Sequence, residues 1–152
     1  MKLILVAPDS LLCAAFQQHF NYLPKVEIVI HYFEWLPDFD CMVSPANSFG
    51  MMDGGIDAAI TRFFGRSLMA RVQQRILEDY LGEQSVGTSM IVETGHYKHP
   101  FLAHTPTMRV PMIIAGTDIP HIAMWAMLLA VRHINTLGKK LAPLPVLDWV
   151  QE

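Results

Sequence analysis

The stretch SPANSFGMMDGGID, residues 44–57, follows a short apolar run and precedes a segment with helical periodicity. It brings one amide (Asn47), two carboxylates (Asp53 and Asp57) and three glycines into one strand–loop–helix unit. Glycines allow the backbone to approach a ligand closely, and the first N–H groups of a helix are unpaired donors for a phosphate. Nucleotides bind at loops of this kind in α/β proteins. The stretch therefore predicts an α/β fold with a nucleotide site at this loop.

Strand-like and helix-like segments alternate along the chain. Short apolar or β-branched runs predict strands at residues 3–7, 26–33, 41–43, 89–92, 101–104 and, as a Pro-flanked edge strand, 143–147. Helices are predicted after Asp9 or Ser10, from Gly55 to Gly65, from there to Gly82, and after Thr117 or Asp118. This alternation predicts a three-layer α/β/α fold with a mixed, mostly parallel central sheet.

Apolar residues at helical spacing predict which helix faces are buried. For the first helix this face comprises Leu12, Ala15, Phe16, His19 and Phe20. For the last helix it comprises Ile122, Trp125, Ala126 and Leu129.

Length and composition favour one domain, residues 1–152, in a reducing compartment. The chain is 52% hydrophobic and 16% charged, which suits a sheet covered on both faces or an additional apolar surface for a homo-oligomer. The net charge is −3 and no basic cluster exceeds Lys139-Lys140, so nucleic acid is not an expected partner. The apolar run 122–131 is about half of the roughly 20 residues that a membrane helix needs. Cys13 and Cys41 lie in apolar contexts as free thiols, and we expect a cytoplasmic protein.

Three histidines are the remaining candidates for metal chemistry. His96 and His99 lie in a predicted turn, and no cysteine or carboxylate completes a ligand set with them. His104 lies on a predicted strand, where a hydrogen-bonded core histidine is the expected role. The sequence therefore predicts neither a metal site nor a cofactor.

The central motif resembles that of the macro domain family, which comprises ADP-ribose-binding α/β/α modules and includes ADP-ribosyl hydrolases. The family pattern is a strand ending in Asn-Ala-Ala-Asn, a Gly-rich loop, and Val-Asp-Gly-Ala-Ile on a helix. In this chain the corresponding segments are Ser44-Pro45-Ala46-Asn47, Met52-Asp53-Gly54-Gly55 and Ile56-Asp57-Ala58-Ala59-Ile60. The ten-residue step from Asn47 to Asp57 equals the family spacing without a gap.

Further segments extend the resemblance over roughly residues 26–137. Residues 87–95, GTSMIVETG, are similar to the family's next strand and its Thr-Gly turn. His104-Thr105-Pro106 falls where the family often has His-Thr-Val-Gly-Pro. The combination of Pro-Ala-Asn-Ser-Phe-Gly with Met-Asp-Gly-Gly-Ile-Asp resembles a bacterial and phage-associated branch.

The chain departs from the family pattern at three places. Ser44 replaces the first amide, and the loop has two central glycines where the family often has four. The family's Gly-Asp-Ile, whose Asp reads the adenine amino group, corresponds to His31-Tyr32-Phe33-Glu34, so either Glu34 supplies the acceptor or this contact is lost. The second phosphate loop, a Gly-Thr-Gly-like segment beyond the last strand, is missing from the sequence. Either the C-terminal part is truncated or the grip on the ligand is incomplete.

The resemblance implies a site for ADP-ribose or an ADP-ribosylated substrate. Asn47 and Asp57 would contact the distal ribose and carry catalysis, and the diphosphate would lie against Gly54, Gly55 and Ile56. Asp57 falls in the first helical turn, where the dipole favours its ionised form and a carboxylate is able to activate a water beside the ribose C1. The implied reaction is hydrolysis of an ADP-ribosyl ester or a related adduct. The remaining ligand-binding candidates are Ser48, Phe49, Asp53 and Glu34.

Several of these residues also have purely structural interpretations. Asn47 is able to hold the loop by side-chain-to-backbone bonds, Asp53 to cap the following helix, and Phe49 to pack beneath the loop. Two other functions therefore stay open beside hydrolysis. One is a non-catalytic nucleotide-binding module, which the loss of the amide at Ser44 favours. The other is a structural or assembly protein without a ligand site, which the missing second loop and the apolar composition favour. In an oligomer, a second subunit would cover the predicted edge at residues 143–147.

Overall fold

The computed structural model describes residues 1–137 and the backbone of residues 144–146. Six strands lie at Leu3–Ala7 (β1), Val26–Ile30 (β2), Cys41–Asn47 (β3), Met90–Glu93 (β4), Phe101–Met108 (β5) and Leu144–Val146 (β6). Four helices lie at Ser10–Phe20 (α1), Gly55–Phe64 (α2), Arg66–Tyr80 (α3) and Ile119–Thr136 (α4), and a short 3₁₀ turn lies at Phe33–Trp35.

The six strands form one sheet in the order β2-β1-β6-β3-β5-β4. Every neighbouring pair is parallel except β4 and β5, which are antiparallel. Alternate residues of each strand point to opposite faces of the sheet, and helices cover both faces. Met42 and Leu102 belong to the core beneath α2 and α3, whereas Val43 and Ala103 belong to the core beneath α1 and α4. This arrangement confirms the predicted three-layer fold with a mixed, mostly parallel sheet.

The last strand occupies a different place from the one predicted. Val146 pairs with Leu5 of β1 and with Val43 of β3, so β6 lies inside the sheet and is not an edge strand. Pro143 and Pro145 suggested an edge strand, because proline lacks the N–H that strand pairing needs. In the structure the paired segment is only three residues long. The outer strands are β2 and β4, and the edge at residues 143–147 is no longer an argument for a homo-oligomer. Residues 147–152, which follow β6, lie outside the described residues.

Several strand boundaries differ from the predicted ones. Strand β2 ends at Ile30, because the chain turns into the 3₁₀ segment at Phe33–Trp35. Strands β3 and β5 extend to Asn47 and Met108, beyond the predicted ends at residues 43 and 104. Pro45 and Pro106 both lie in the parallel β3–β5 pairing. Most of the motif before the glycine loop is therefore strand.

The predicted buried face of α4 is wrong. Ala123, Met127 and Val131 are buried, whereas Trp125 is 61% exposed and Leu129 47% exposed. Apolar residues surround this helix, so their spacing does not define a single inward face. In α1 the fully buried residue is Cys13, and part of the predicted face is exposed. Both cysteines are free and buried, as predicted. None of the helices in the described residues is both long and apolar enough to span a membrane.

Gly50 fixes how closely the loop after β3 approaches α3. Its φ is +64°, and an added Cβ would lie 2.9 Å from both Val72 Cγ1 and Ile76 Cδ1. These side chains are fully buried in the core beneath α3. The site loop thus requires a residue that has no side chain and tolerates a left-handed conformation.

We expect Gly50→Ala to lower the free energy of unfolding by about 2 kcal/mol, because a left-handed alanine and an overpacked core both cost stability. Chemical denaturation measures this loss. Gly54→Ala is the matched control, since Gly54 has an extended φ of −122° and open space around its Cβ position. Equal stabilities of the two variants would refute this explanation of the loop's conformation.

Candidate functional site

The site lies where the carboxyl ends of β1 and β3 meet the start of α2. Asp57, in the first turn of α2, is 6% exposed and lies against Ser44 of β3. Ser44 Oγ donates a hydrogen bond of 2.5 Å to Asp57 Oδ1. Within the described residues, no hydrogen bond occupies the other carboxylate oxygen, Oδ2. One oxygen of Asp57 is therefore held by the protein, and the second remains an acceptor.

The environment of Asp57 opposes its ionisation. Burial, the largest effect, and the negative charge of Asp53 both raise the pKa of Asp57, which lies at about 7. The hydrogen bond from Ser44 acts in the opposite direction, because it stabilises the carboxylate. Asp57 thus changes its charge near neutral pH.

This ionisation makes stability depend on pH. The pKa of Asp57 is about 7 in the folded protein, whereas an unfolded aspartate has a pKa of about 4. Because the unfolded state releases its proton first, the folded state loses stability as the pH rises from about 4 to about 7. We expect Asp57→Asn to be stabilised relative to wild type by an amount that grows from pH 4 to pH 8 and reaches on the order of 4 kcal/mol.

The measurement is the difference in unfolding free energy between the two proteins at each pH. Taking this difference is necessary because burial lowers the pKa of His104 to about 3, which gives an opposite trend below pH 6.5 in both proteins. A difference that stays constant from pH 4 to pH 8 would show that Asp57 ionises normally.

The amide of Asn47 organises the loop that follows β3. Its Oδ1 accepts hydrogen bonds from the backbone N–H groups of Phe49 and Met51, at 3.0 and 3.2 Å. Its Nδ2 donates to the Met51 carbonyl at 2.7 Å. These are the loop-holding bonds that the structural interpretation of Asn47 predicts. One N–H of the amide is left for a ligand.

The residues after Asn47 are held from the β5 side. Ser48 is buried. Its backbone N–H donates to the Met108 carbonyl at 3.0 Å, and its hydroxyl donates to the same carbonyl at 3.4 Å. Phe49 is half-buried, and the Arg109 guanidinium lies 5.2 Å from its ring centroid. In this structure Ser48 and Phe49 make contacts within the protein, and neither lines the cavity described below.

The N-terminus of α2 is open. Its N-cap is Gly54, and no side chain of the described residues caps it. The predicted cap by Asp53 is therefore wrong: this residue is exposed and makes no capping bond, because the chain enters the helix through Gly54 and Gly55. A Cβ at Gly54 would meet nothing within 4 Å. The first N–H groups of α2 thus lie beside free space, in the arrangement that binds anions.

A cavity of about 360 Å³ adjoins this helix start. Glu34, Gly55 and Ile56 line it, so the structure brings these three predicted residues together. Arg62 was not among the predicted site residues. It lies on the same helix face as Ile56 and Ala59 at three-residue spacing, and this spacing would have indicated it from the sequence. The other lining residues are Val6, Ala7, Pro8, Tyr32, Phe33 and Ala59.

A buried polar pair lies beside Ser44 in the sheet. His104 of β5 pairs in register with Ser44, and its Nδ1 lies 2.7 Å from Gln84 Oε1. The Gln84 backbone N–H donates to the Ser48 carbonyl at 2.9 Å, which ties this pair to the site loop. His104 is thus a hydrogen-bonded core histidine, as predicted. No group of three potential metal ligands occurs among the described residues.

These features define an α/β domain with a candidate nucleotide site at the carboxyl edge of its sheet. The profile of the family described as Macro domain matches residues 43–122, which is more than half of the chain. The protein belongs to the macro domain family.

The chain is also similar in sequence to an individual protein. An uncharacterized protein of Aquifex aeolicus (strain VF5) is 31% identical over 81 residues, which cover 53% of this chain and 46% of that protein. The chain thus spans about half the length of this relative.

Solved macrodomains share the fold. A mutant of the Oceanobacillus iheyensis macrodomain matches with a TM-score of 0.55 and 19% identity, over 70% of this chain and 55% of that one. The macrodomain of Mycobacterium tuberculosis DarG matches with a TM-score of 0.52 and 21% identity, over 70% and 65%. The Oceanobacillus iheyensis macrodomain with ADP matches with a TM-score of 0.50 and 25% identity, over 70% and 54%.

Proposed function

We propose that this domain binds ADP-ribose and hydrolyses an ADP-ribosyl ester or a related ADP-ribose adduct. The observation that carries the proposal is the uncapped start of α2, which lies between a cavity lined by Glu34 and the buried carboxylate of Asp57. A nucleotide base, a diphosphate and a reacting ribose each have a chemically suitable neighbour here.

The diphosphate is assigned to the helix start. The N–H groups of Gly55 and Ile56 are donors for its oxygens, and the positive end of the helix dipole favours its charge. The open space at Gly54 permits close approach of the ligand. The Oceanobacillus iheyensis macrodomain, which has the same fold, was solved with ADP.

The adenine is assigned to the adjoining cavity. Its volume of about 360 Å³ falls within the range of small-molecule sites. Glu34 provides a carboxylate acceptor for the 6-amino group, in place of the aspartate of the family pattern. Arg62, which lines the same cavity, provides a donor for a ring nitrogen.

The reaction is assigned to Asp57. Its ionised form accepts a proton from a water whose oxygen bonds to the distal ribose C1, while the bond between C1 and the leaving carboxylate oxygen breaks. Since Ser44 occupies Oδ1, the free Oδ2 is the acceptor for this proton. Because the ionised form is required, turnover rises with pH through the pKa of Asp57, near 7.

A non-catalytic binding module is the second candidate. The observation that favours it is the hydrogen bonding of Asn47, whose amide oxygen is fully used by the loop. A ligand then meets only the remaining N–H of this amide, and the contact to the distal ribose is weaker than the family pattern implies.

Calorimetric titration of the 152-residue chain with ADP-ribose, and with AMP as control ligand, tests binding. We expect selective binding of ADP-ribose and at least a tenfold loss in Gly54→Val, because the branched side chain fills the space assigned to the diphosphate. An extended φ of −122° accommodates valine without strain. Gly54→Ala is the size control, with a smaller loss. Undiminished affinity of the valine variant would place the ligand elsewhere.

Catalysis is tested with Asp57→Asn in a hydrolysis assay on an ADP-ribosyl ester. We expect turnover to fall by at least 100-fold, in the range that general base catalysis contributes, while affinity for ADP-ribose stays within about threefold. Binding by the wild type without turnover would support the non-catalytic module. Equal turnover of variant and wild type would exclude Asp57 as the base.

A further inference from the structure

The serine that replaces the first amide of the family motif contacts the candidate base directly. Ser44 and Asp57 are 13 positions apart, and both are buried, with their side chains joined by a hydrogen bond of 2.5 Å. We propose that Ser44 is a positioning residue for Asp57: its hydroxyl holds Oδ1 and leaves Oδ2 to accept the proton of the reacting water. This inference rests on the proposed hydrolysis for its purpose, but the Ser44–Asp57 coupling is measurable without turnover.

The position of Ser44 is fixed by the sheet. It lies in β3, paired in register with His104 of β5, and has no exposed surface. A serine hydroxyl has one proton to donate, and here that proton is directed to Asp57. Because Ser44 is buried within a paired strand, its hydroxyl sets the orientation of the carboxylate before any ligand arrives.

Ser44 is also the group that counteracts the environment of Asp57. Strands β1 and β3 carry no charged side chain, and the buried residues of α3 are apolar. His104 on β5 is neutral at physiological pH, because burial lowers its pKa to about 3. The charged side chains on the remaining elements around the site are Asp53 of the loop, Arg62 of α2 and Glu34 of the 3₁₀ turn. Burial and Asp53 oppose ionisation, and the hydroxyl of Ser44 favours it.

The experiment compares wild type, Ser44→Ala and Ser44→Thr in the full chain. The pKa of Asp57 is followed by ¹³C NMR of aspartate-labelled protein, with Asp57→Asn identifying the resonance. We expect Ser44→Ala to raise this pKa by about one pH unit, since a hydrogen bond to a charged group is lost. Ser44→Thr, which keeps the hydroxyl, stays within about 0.3 pH units of wild type. Ser44→Cys has a side chain of similar volume and a weaker hydrogen-bond donor, so we expect a pKa of Asp57 between those of wild type and Ser44→Ala. If Ser44→Ala does not fold, the pKa measured in Ser44→Cys takes its place.

Kinetics provide the second measurement. The acid limb of the kcat profile of Ser44→Ala should move upward by the same amount as the pKa, with KM unchanged, and Ser44→Thr should restore it. An unchanged kcat at every pH in Ser44→Ala would overturn the positioning role. An unmoved pKa in Ser44→Ala and Ser44→Cys would overturn the coupling itself. Absent turnover in wild type together with a raised pKa in Ser44→Ala would refute hydrolysis while supporting the coupling.

Discussion

The buried hydrogen bond from Ser44 to Asp57 joins the start of α2 to the carboxyl end of β3, and the rest of the site is built around this junction. A carboxylate removed from water is costly unless it is neutral or hydrogen-bonded, so Asp57 constrains both its own helix and the strand beneath it. The connection between them, residues 48–54, passes close to α3 at Gly50, where an added side chain would meet Val72 and Ile76. The uncapped start of α2 and the adjoining cavity lie at the end of this connection.

The loop is also organised before a ligand is present. Asn47 closes a ring of hydrogen bonds with Phe49 and Met51, and Gln84 holds the Ser48 carbonyl from the other side. Backbone groups that are fixed in this way lose little entropy when an anion binds to them. The same bonds explain why the amide of Asn47 is less available to a ribose than the motif suggests. Rigidity of the loop and direct recognition by Asn47 therefore compete for the same side chain.

Local features of the fold were predictable from the sequence, whereas features that depend on distant pairing were not. The glycine loop, the helix from Gly55 and the burial of Cys13 and Cys41 follow from neighbouring residues. The central place of β6 depends on pairing with β1 and β3, and its prolines point locally to an edge. The buried face of α4 could not be predicted, because Trp125 and Met127 are both apolar and only Met127 is buried. Within the site, Glu34 was predictable from the family pattern. Predicting Arg62 required knowing which face of α2 lines the cavity, and the position of Ile56 on that face defines it.

The site has two features that a protein retaining only the fold would not need. Gly54 at the N-cap leaves the first N–H groups of α2 without a side-chain partner, where a serine or aspartate would add roughly a few tenths of a kcal/mol of stability. Asp57 adds a buried carboxylate that an asparagine of the same shape would replace at lower cost above neutral pH. Both features lower stability at the same place, at an opening beside a cavity. Natural proteins keep such costs mainly where function requires them, which favours a ligand site over a purely structural role for this domain.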